Sequence, residues 1–358
     1  MKELIKIKGK TLKFPIIQGG MGVGVSLSRL ATAVINEGGV GTISAAQTGF
    51  LDPDFSKSAR ASYVANENAM RYYVKQVREN TPSDGFLAVN ILSAGRDYNH
   101  MAEVCVDCGV DAIISGAGLP IDLPMFTKGS NTAAIPIISS ARVLNILCKK
   151  WQKKFDVLPD AVIVEGPEAG GHLGVKYEEL DNGIEESDLE KRLAEVLKFR
   201  SENGHTYPIF VAGGVYTHED VKRYISLGAD GVQLGTRFIA TNECDADINF
   251  KMKFVEARKE DIRYVKSPVG YPARAIRNSF TEKLDIANIP VEKCIGCVLP
   301  CNGKVAETPY CITDFLIKSV QGDVENGLVF TGANGYRIDK IVSVKELMDE
   351  LKGDLWEK

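Results

Sequence analysis

No stretch of the 358-residue chain approaches the roughly 18 consecutive apolar residues that a membrane-spanning helix needs. Residues 1–6 turn charged again before any apolar leader segment forms, so the expected location is the cytoplasm, with no membrane contact. A basic excess is also missing: 43 Lys plus Arg face 47 Asp plus Glu, a net charge of −4 with the signs interspersed. That balance argues against nucleic acid as a partner. Low-complexity runs are absent, and no internal repeat goes beyond an alternation of short apolar runs with helical stretches. With 44% apolar, 25% charged and 8% aromatic residues, the composition excludes disordered, collagen-like and coiled-coil chains. In a reducing compartment the eight cysteines are expected as thiols, metal ligands or catalytic groups rather than disulfides.

What is present is a regular βα alternation. Eight apolar runs end in small or polar residues and lead into helical patterns: Phe14–Gln18, Val40–Ser44, Phe86–Asn90, Ala112–Ser115, Ile135–Ser139, Ala161–Glu165, Ile209–Ala212 and Gly231–Leu234. Pro15, Pro136 and Pro208 are read at strand starts, where a missing N–H costs little. Between the strands, Ser26 is expected to cap a helix carrying Leu27, Leu30, Ala31 and Val34. Ser187 to Glu190 and Thr217 to Asp220 have the spacing of capping boxes. Eight strands with one crossover each fit an α/β fold of the (β/α)8 TIM-barrel type better than an open doubly wound sheet. Residues 5–12 read as a hairpin forming a floor to the barrel. The domain expectation is a barrel with its hairpin over 1–240, then a Cys-containing appendage over 241–358 that closes over the active site, irregular to about residue 310 and with two amphipathic helices over about 311–351.

Barrel active sites lie at the strand C-terminal ends, with phosphates commonly held after strands seven and eight. Here Gly213-Gly214 follows strand seven, and Gly235-Thr236 follows strand eight after Gln233-Leu234. Bare backbone at both turns lets N–H groups reach phosphate oxygens, although ordinary tight turns use glycine too. Strand one ends in Gln18-Gly19-Gly20-Met21 and strand three in Asn90, which offers flat backbone to a large heterocycle. Strand six runs from Glu165 into Gly166-Pro167-Glu168-Ala169-Gly170-Gly171-His172. This places one of only four histidines over the barrel mouth, where neutral imidazole can donate, accept or transfer a proton. His100, His205 and His218 are assigned no chemistry, and Cys105 and Cys108 are read as core.

Taken together, Gln18-Gly19-Gly20-Met21, Val89-Asn90-Ile91-Leu92, Ser115 to Pro120, Glu165 to His172, Ala212-Gly213-Gly214 and Gln233 to Phe238 resemble the FMN-dependent nitronate monooxygenase (2-nitropropane dioxygenase) family. That family also contains the flavin-dependent enoyl-acyl-carrier-protein reductase of type II. The resemblance implies a flavin barrel: Gly19, Gly20, Met21 and Asn90 line the isoalloxazine, with Glu165 and Gly171 beside them. Gly213, Gly214, Gln233, Leu234, Gly235 and Thr236 hold the ribityl phosphate, and His172 faces a small-molecule substrate as the catalytic residue. Inosine-monophosphate dehydrogenase, a more distant barrel, needs a nucleophilic Cys in the loop after strand six, and none is there.

The chain departs from shorter members at Cys294, Cys297, Cys301 and Cys311. Their C-x2-C-x3-C-x9-C spacing resembles the ligand pattern of the dienoyl-CoA reductase group, and implies a [4Fe-4S] cluster or zinc, against free thiols. The expected function is an FMN-dependent oxidoreductase of the nitronate monooxygenase type, oxidising alkyl nitronates with O2. The alternative is an enoyl reductase using NADH or NADPH, with acyl carrier protein as partner, in which the loop through Val175 to Gly183 restricts a substrate groove or forms part of a nicotinamide site. A flavin electron carrier or sensor is the non-enzymatic alternative, and a homodimer is the expected assembly where the chain self-associates.

Overall fold

All eight expected strands form and close on themselves in a computed structural model that describes residues 4–174, 188–301, 303–304 and 308–356. A two-residue turn, Lys8-Gly9 with φ of 47° and 83°, joins β1 (Lys6–Ile7) to β2 (Lys10–Thr11). Positive φ at both positions is what a tight antiparallel hairpin requires. The barrel strands follow: β3 (Ile16–Gln18), β4 (Val40–Ser44), β5 (Phe86–Leu92), β6 (Ala112–Gly116), β7 (Ala133–Ile138) and β8 (Val162–Glu165). After the short β9 (Gly171–His172), β10 (Ile209–Ala212) and β11 (Gly231–Leu234) complete it. Every neighbouring pair is parallel, and β11 against β3 closes the ring. The fold is a (β/α)8 barrel.

Side chains alternate across this wall as strand geometry demands. Ile17, Ile163 and Phe210 point inward and pack with Ile7 and Leu12 of the hairpin, which therefore floors the barrel. Ile16, Val162, Val164, Ile209 and Val211 point outward, onto helix residues such as Leu30, Val34, Leu144 and Leu193. Gly41 lets the first helix approach its strand, since a Cβ there would lie 2.2 Å from the carbonyl oxygen of Ala31.

Three local readings change. Strand β7 starts at Ala133, so Pro136 lies inside it rather than at its start. Ser26 does not cap the helix Ser28–Asn36: its hydroxyl accepts from Met21 N–H at 2.8 Å instead. The cap is the Asp245 carboxylate, which accepts from the N–H groups of Leu27, Arg29 and Leu30 at 2.8, 3.2 and 3.2 Å. Thr217 and Asp220 do form a capping box at the helix His218–Ser226, whereas Ser187 lies outside the described residues.

The stretch after the barrel, read in sequence as irregular up to about residue 310, contains regular elements. Helices Ile248–Glu256 and Ser279–Ile286 flank the hairpin β12 (Ile262–Val265) and β13 (Ala273–Ile276). Amphipathic helices Ile312–Val320 and Val344–Lys352 follow, as the sequence pattern predicts. Strand β13 also pairs antiparallel with β9, His172 opposite Ala273. The loop after the sixth barrel strand is thereby built into a three-stranded sheet with the appendage. No helix among the described residues is long and apolar enough to cross a membrane.

Candidate active site

A cavity of about 880 Å³ opens at the C-terminal ends of the barrel strands. Gly19, Gly20, Met21, Asn90, Glu165, Gly171, His172, Gly213, Gly214, Gln233, Leu234, Gly235 and Thr236 all line it. Residues as far apart as Gly19 and Thr236 meet here because parallel strands deliver their following loops to one end.

The backbone around the cavity is drawn in tightly. A Cβ on Gly20 would lie 2.3 Å from Cβ of Asn90, so this glycine and the Asn90 side chain form one continuous wall. Gly213 and Gly214 adopt φ of 86° and 104°, the left-handed region that side chains with a Cβ resist. Thr236 opens the short helix after β11, and its hydroxyl accepts from Gly332 N–H at 3.0 Å. Gln233 is buried, yet its Oε1 has no hydrogen-bond partner. A buried polar atom without a partner costs free energy unless a ligand supplies one, and this one lies in the cavity wall.

Two titratable groups on the wall are shifted toward their uncharged forms. Burial pushes the His172 imidazole down to about 4, so the ring is neutral near pH 7. Its Nε2 lies 2.7 Å from Ser267 Oγ, and Phe330 packs edge-on, ring centroids 5.3 Å apart. Burial pushes the Glu165 carboxyl up to about 7, opposed by the Arg192 guanidinium. Both side chains keep some accessible surface, but that surface faces the cavity rather than bulk water, so low polarity still governs them.

Glu165 gives a testable pH dependence. Folded, its carboxyl releases its proton near 7, and unfolded near the ordinary 4.5. Between those values the native state holds a proton that the unfolded state has lost, so this residue costs stability as pH rises. Glu165→Gln is expected to exceed wild type by about 1–3 kcal/mol at around pH 8, and to lose most of that advantage near pH 5. Urea midpoints at the two pH values check this; an equal difference at both would mean an ordinary carboxyl.

Several lining residues were not legible in sequence. Phe330, Thr331, Gly332 and Asn334 enter from beyond residue 320, and Val269 and Tyr271 come from the β12–β13 connection. Asp97 also lines the cavity, its carboxyl held up by burial and accepting from Asn66 Nδ2 at 3.3 Å. No spacing rule links these positions to the barrel motifs. The segment Val175 to Gly183, expected to restrict a groove, lies outside the described residues.

Cys294, Cys297, Cys301 and Cys311 share a neighbourhood, but among the described residues no three His, Cys, Asp or Glu side chains are placed to hold a metal ion. Cys294 is exposed and accepts from Gly296 N–H at 3.4 Å. Cys297 and Cys301 pack against an apolar cluster. Burial pushes the Cys297 thiol up to about 11, and the neighbouring Cys311, Cys301 and Cys294 add to the rise.

Comparison with known proteins places this geometry. A family model described as nitronate monooxygenase matches residues 3–354. A probable nitronate monooxygenase from Bacillus subtilis (strain 168) is 24% identical, over 96% of this chain and 97% of its own length. The structure of FabK from Thermotoga maritima superposes with a TM-score of 0.72 at 26% identity, covering 95% of this chain and 92% of its own. A nitroalkane oxidase from Streptomyces ansochromogenes shares the fold, with a TM-score of 0.71 at 22% identity over 96% of both chains. The chain belongs to the nitronate monooxygenase family and is a flavin-dependent oxidoreductase of that family.

Proposed function

We propose that this protein is an FMN-dependent nitronate monooxygenase, which oxidises a small alkyl nitronate with dioxygen as acceptor. The observation that carries the reading is the neutral His172 imidazole on the wall of the same cavity that collects the glycine turns after β3, β10 and β11. The match of the family model over residues 3–354 supports it.

The residues present fit FMN. Gly213, Gly214, Gly235 and Thr236 would hold its phosphate through backbone N–H groups, with the N-terminus of the short helix behind them. Gly19, Gly20, Met21 and Asn90 would line the ring, and the free Gln233 Oε1 would receive a donor from it. Glu165, Gly171 and Leu234 complete the cradle. One phosphate grip without a second dinucleotide fingerprint favours FMN over FAD. Bound there, the flavin supplies a two-electron acceptor. His172, uncharged, donates a hydrogen bond to a substrate oxygen and orients it. Phe330 and the β12–β13 connection keep bulk water from that face.

A second reading, reduction of an enoyl thioester by NADH or NADPH with acyl carrier protein as partner, is favoured by the cavity mouth. Leu119, Tyr271 and Leu299 line it while 39%, 54% and 48% exposed, and such apolar rims suit an acyl chain. The likeness to FabK adds to this reading. A flavin carrier would hold its ring edge in solvent, whereas here residues of the appendage, Phe330 and Asn334 among them, contribute to the cavity wall.

Anaerobic stopped-flow reduction of the flavin, with an alkyl nitronate and separately with NADH and NADPH, tests the choice. Rapid bleaching by nitronate and slow bleaching by both nicotinamides is the expected result. Fast bleaching by a nicotinamide, reversed by an enoyl thioester and not by oxygen alone, overturns it in favour of the reductase.

A further inference from the structure

We infer that Ser267 is a positioning residue that fixes the tautomer and orientation of the His172 ring; the inference rests on the proposed role of His172. Ser267 lies in the β12–β13 connection, 95 positions from the histidine, and is 8% exposed. Its Oγ is 2.7 Å from Nε2, a short separation for a neutral pair.

The hydroxyl inventory assigns the direction of that bond. A serine hydroxyl has one proton to donate and two lone pairs to accept with. Val269 N–H, at 3.3 Å, takes one lone pair. One lone pair and the proton remain, and because Nε2 is the one acceptor within reach of this hydroxyl among the described residues, its proton points there. A neutral imidazole that accepts at Nε2 carries its own proton on Nδ1. The pair therefore selects the Nδ1–H tautomer and leaves that N–H as the group offered to substrate.

Three further contacts keep the ring in register with the hydroxyl. Antiparallel pairing sets His172 opposite Ala273, and Leu173 N–H donates to Pro272 O at 2.9 Å, so the histidine is tied to the hairpin whose connection carries Ser267. Phe330 meets the ring edge-on, the planes at 69°, which blocks rotation of the imidazole about its long axis. The barrel supplies the histidine, and the segment after the barrel supplies everything that aims it. That division gives the serine a task that packing alone does not explain: a buried alanine would fill the same space and leave Nε2 without its donor.

The test compares Ser267→Ala with Ser267→Thr, which keeps the hydroxyl. The alanine variant is expected to retain bound flavin and KM but to lose roughly 10- to 100-fold in kcat, as displaced catalytic groups do; the threonine variant recovers most of it. ¹⁵N NMR of the imidazole nitrogens, on flavin-loaded protein, reads the tautomer without turnover. Wild type and Ser267→Thr should show one protonated Nδ1 and one bare Nε2, and Ser267→Ala an averaged pair. Unchanged nitrogen shifts in Ser267→Ala, or a protonated Nε2 in wild type, overturn the inference. Should His172→Ala remain active, the proposed role of His172 fails instead, and the NMR result still decides the tautomer on its own.

Discussion

Replacing His172 with alanine is expected to lower turnover by about 10²- to 10⁴-fold, the range that positioned acid-base and hydrogen-bonding groups contribute, while the flavin stays bound. The imidazole touches the cavity through one wall, and the glycine turns that would hold the phosphate lie on other strands. Loss of the ring therefore removes chemistry without removing the grip. Steady-state kinetics with the substrate identified by stopped flow, alongside the visible flavin spectrum of the purified variant, checks both halves. Wild-type kcat/KM would return His172 to a structural part of the small sheet, and a colourless variant would mean that the ring supports flavin binding instead.

Gly213→Val is expected to yield folded protein with little or no flavin. The residue sits at φ of 86°, where a side chain costs about 1–2 kcal/mol. Its Cβ would also lie 2.8 Å from Gly166 O and 3.0 Å from Ala169 N. Both neighbours are backbone, so the clash is relieved only by moving the β10 turn away from the phosphate position. A displacement that forfeits two or three N–H contacts corresponds to a loss in affinity of about 100-fold or more. Heat-released cofactor from wild type, identified by mass, should be FMN. Stoichiometric FMN in the variant would move the phosphate grip elsewhere, and FAD from wild type would break the argument from a single grip.

The barrel was legible because each strand carries its own signal. Short apolar runs bounded by glycine or proline, each feeding a 3.6-period helix, repeat eight times, and the end of every run marks the catalytic face. That is why Gly20, Asn90, His172, Gly214 and Gln233 could be assembled at one mouth from sequence. The appendage was harder. Strands β12 and β13 are four residues each and pair with each other, but the pairing of β13 with β9, far away along the chain, is one that no local pattern records. Ser267 and Phe330 reach the site by that route. Ser26 misled for a related reason: serine before an apolar helical run is a good local cap, but a carboxylate from residue 245 reached the same N–H groups first. The cysteine spacing constrains positions along the chain and says nothing of whether thiols point to a common centre.

The Asp245 clasp has a consequence for how the ring holds together. The carboxylate that secures the start of the first helix is carried by the segment just past the last barrel strand, beside the seam where β11 meets β3. Closing the ring and completing the first helix are thus one event rather than two. A fragment cut at residue 240 keeps all eight strands but frays at residues 27–30, forfeiting about 0.5–2 kcal/mol at the joint where an open sheet would first peel apart. The clasp works as a buckle: it adds nothing along the belt, and it acts only once both ends have met.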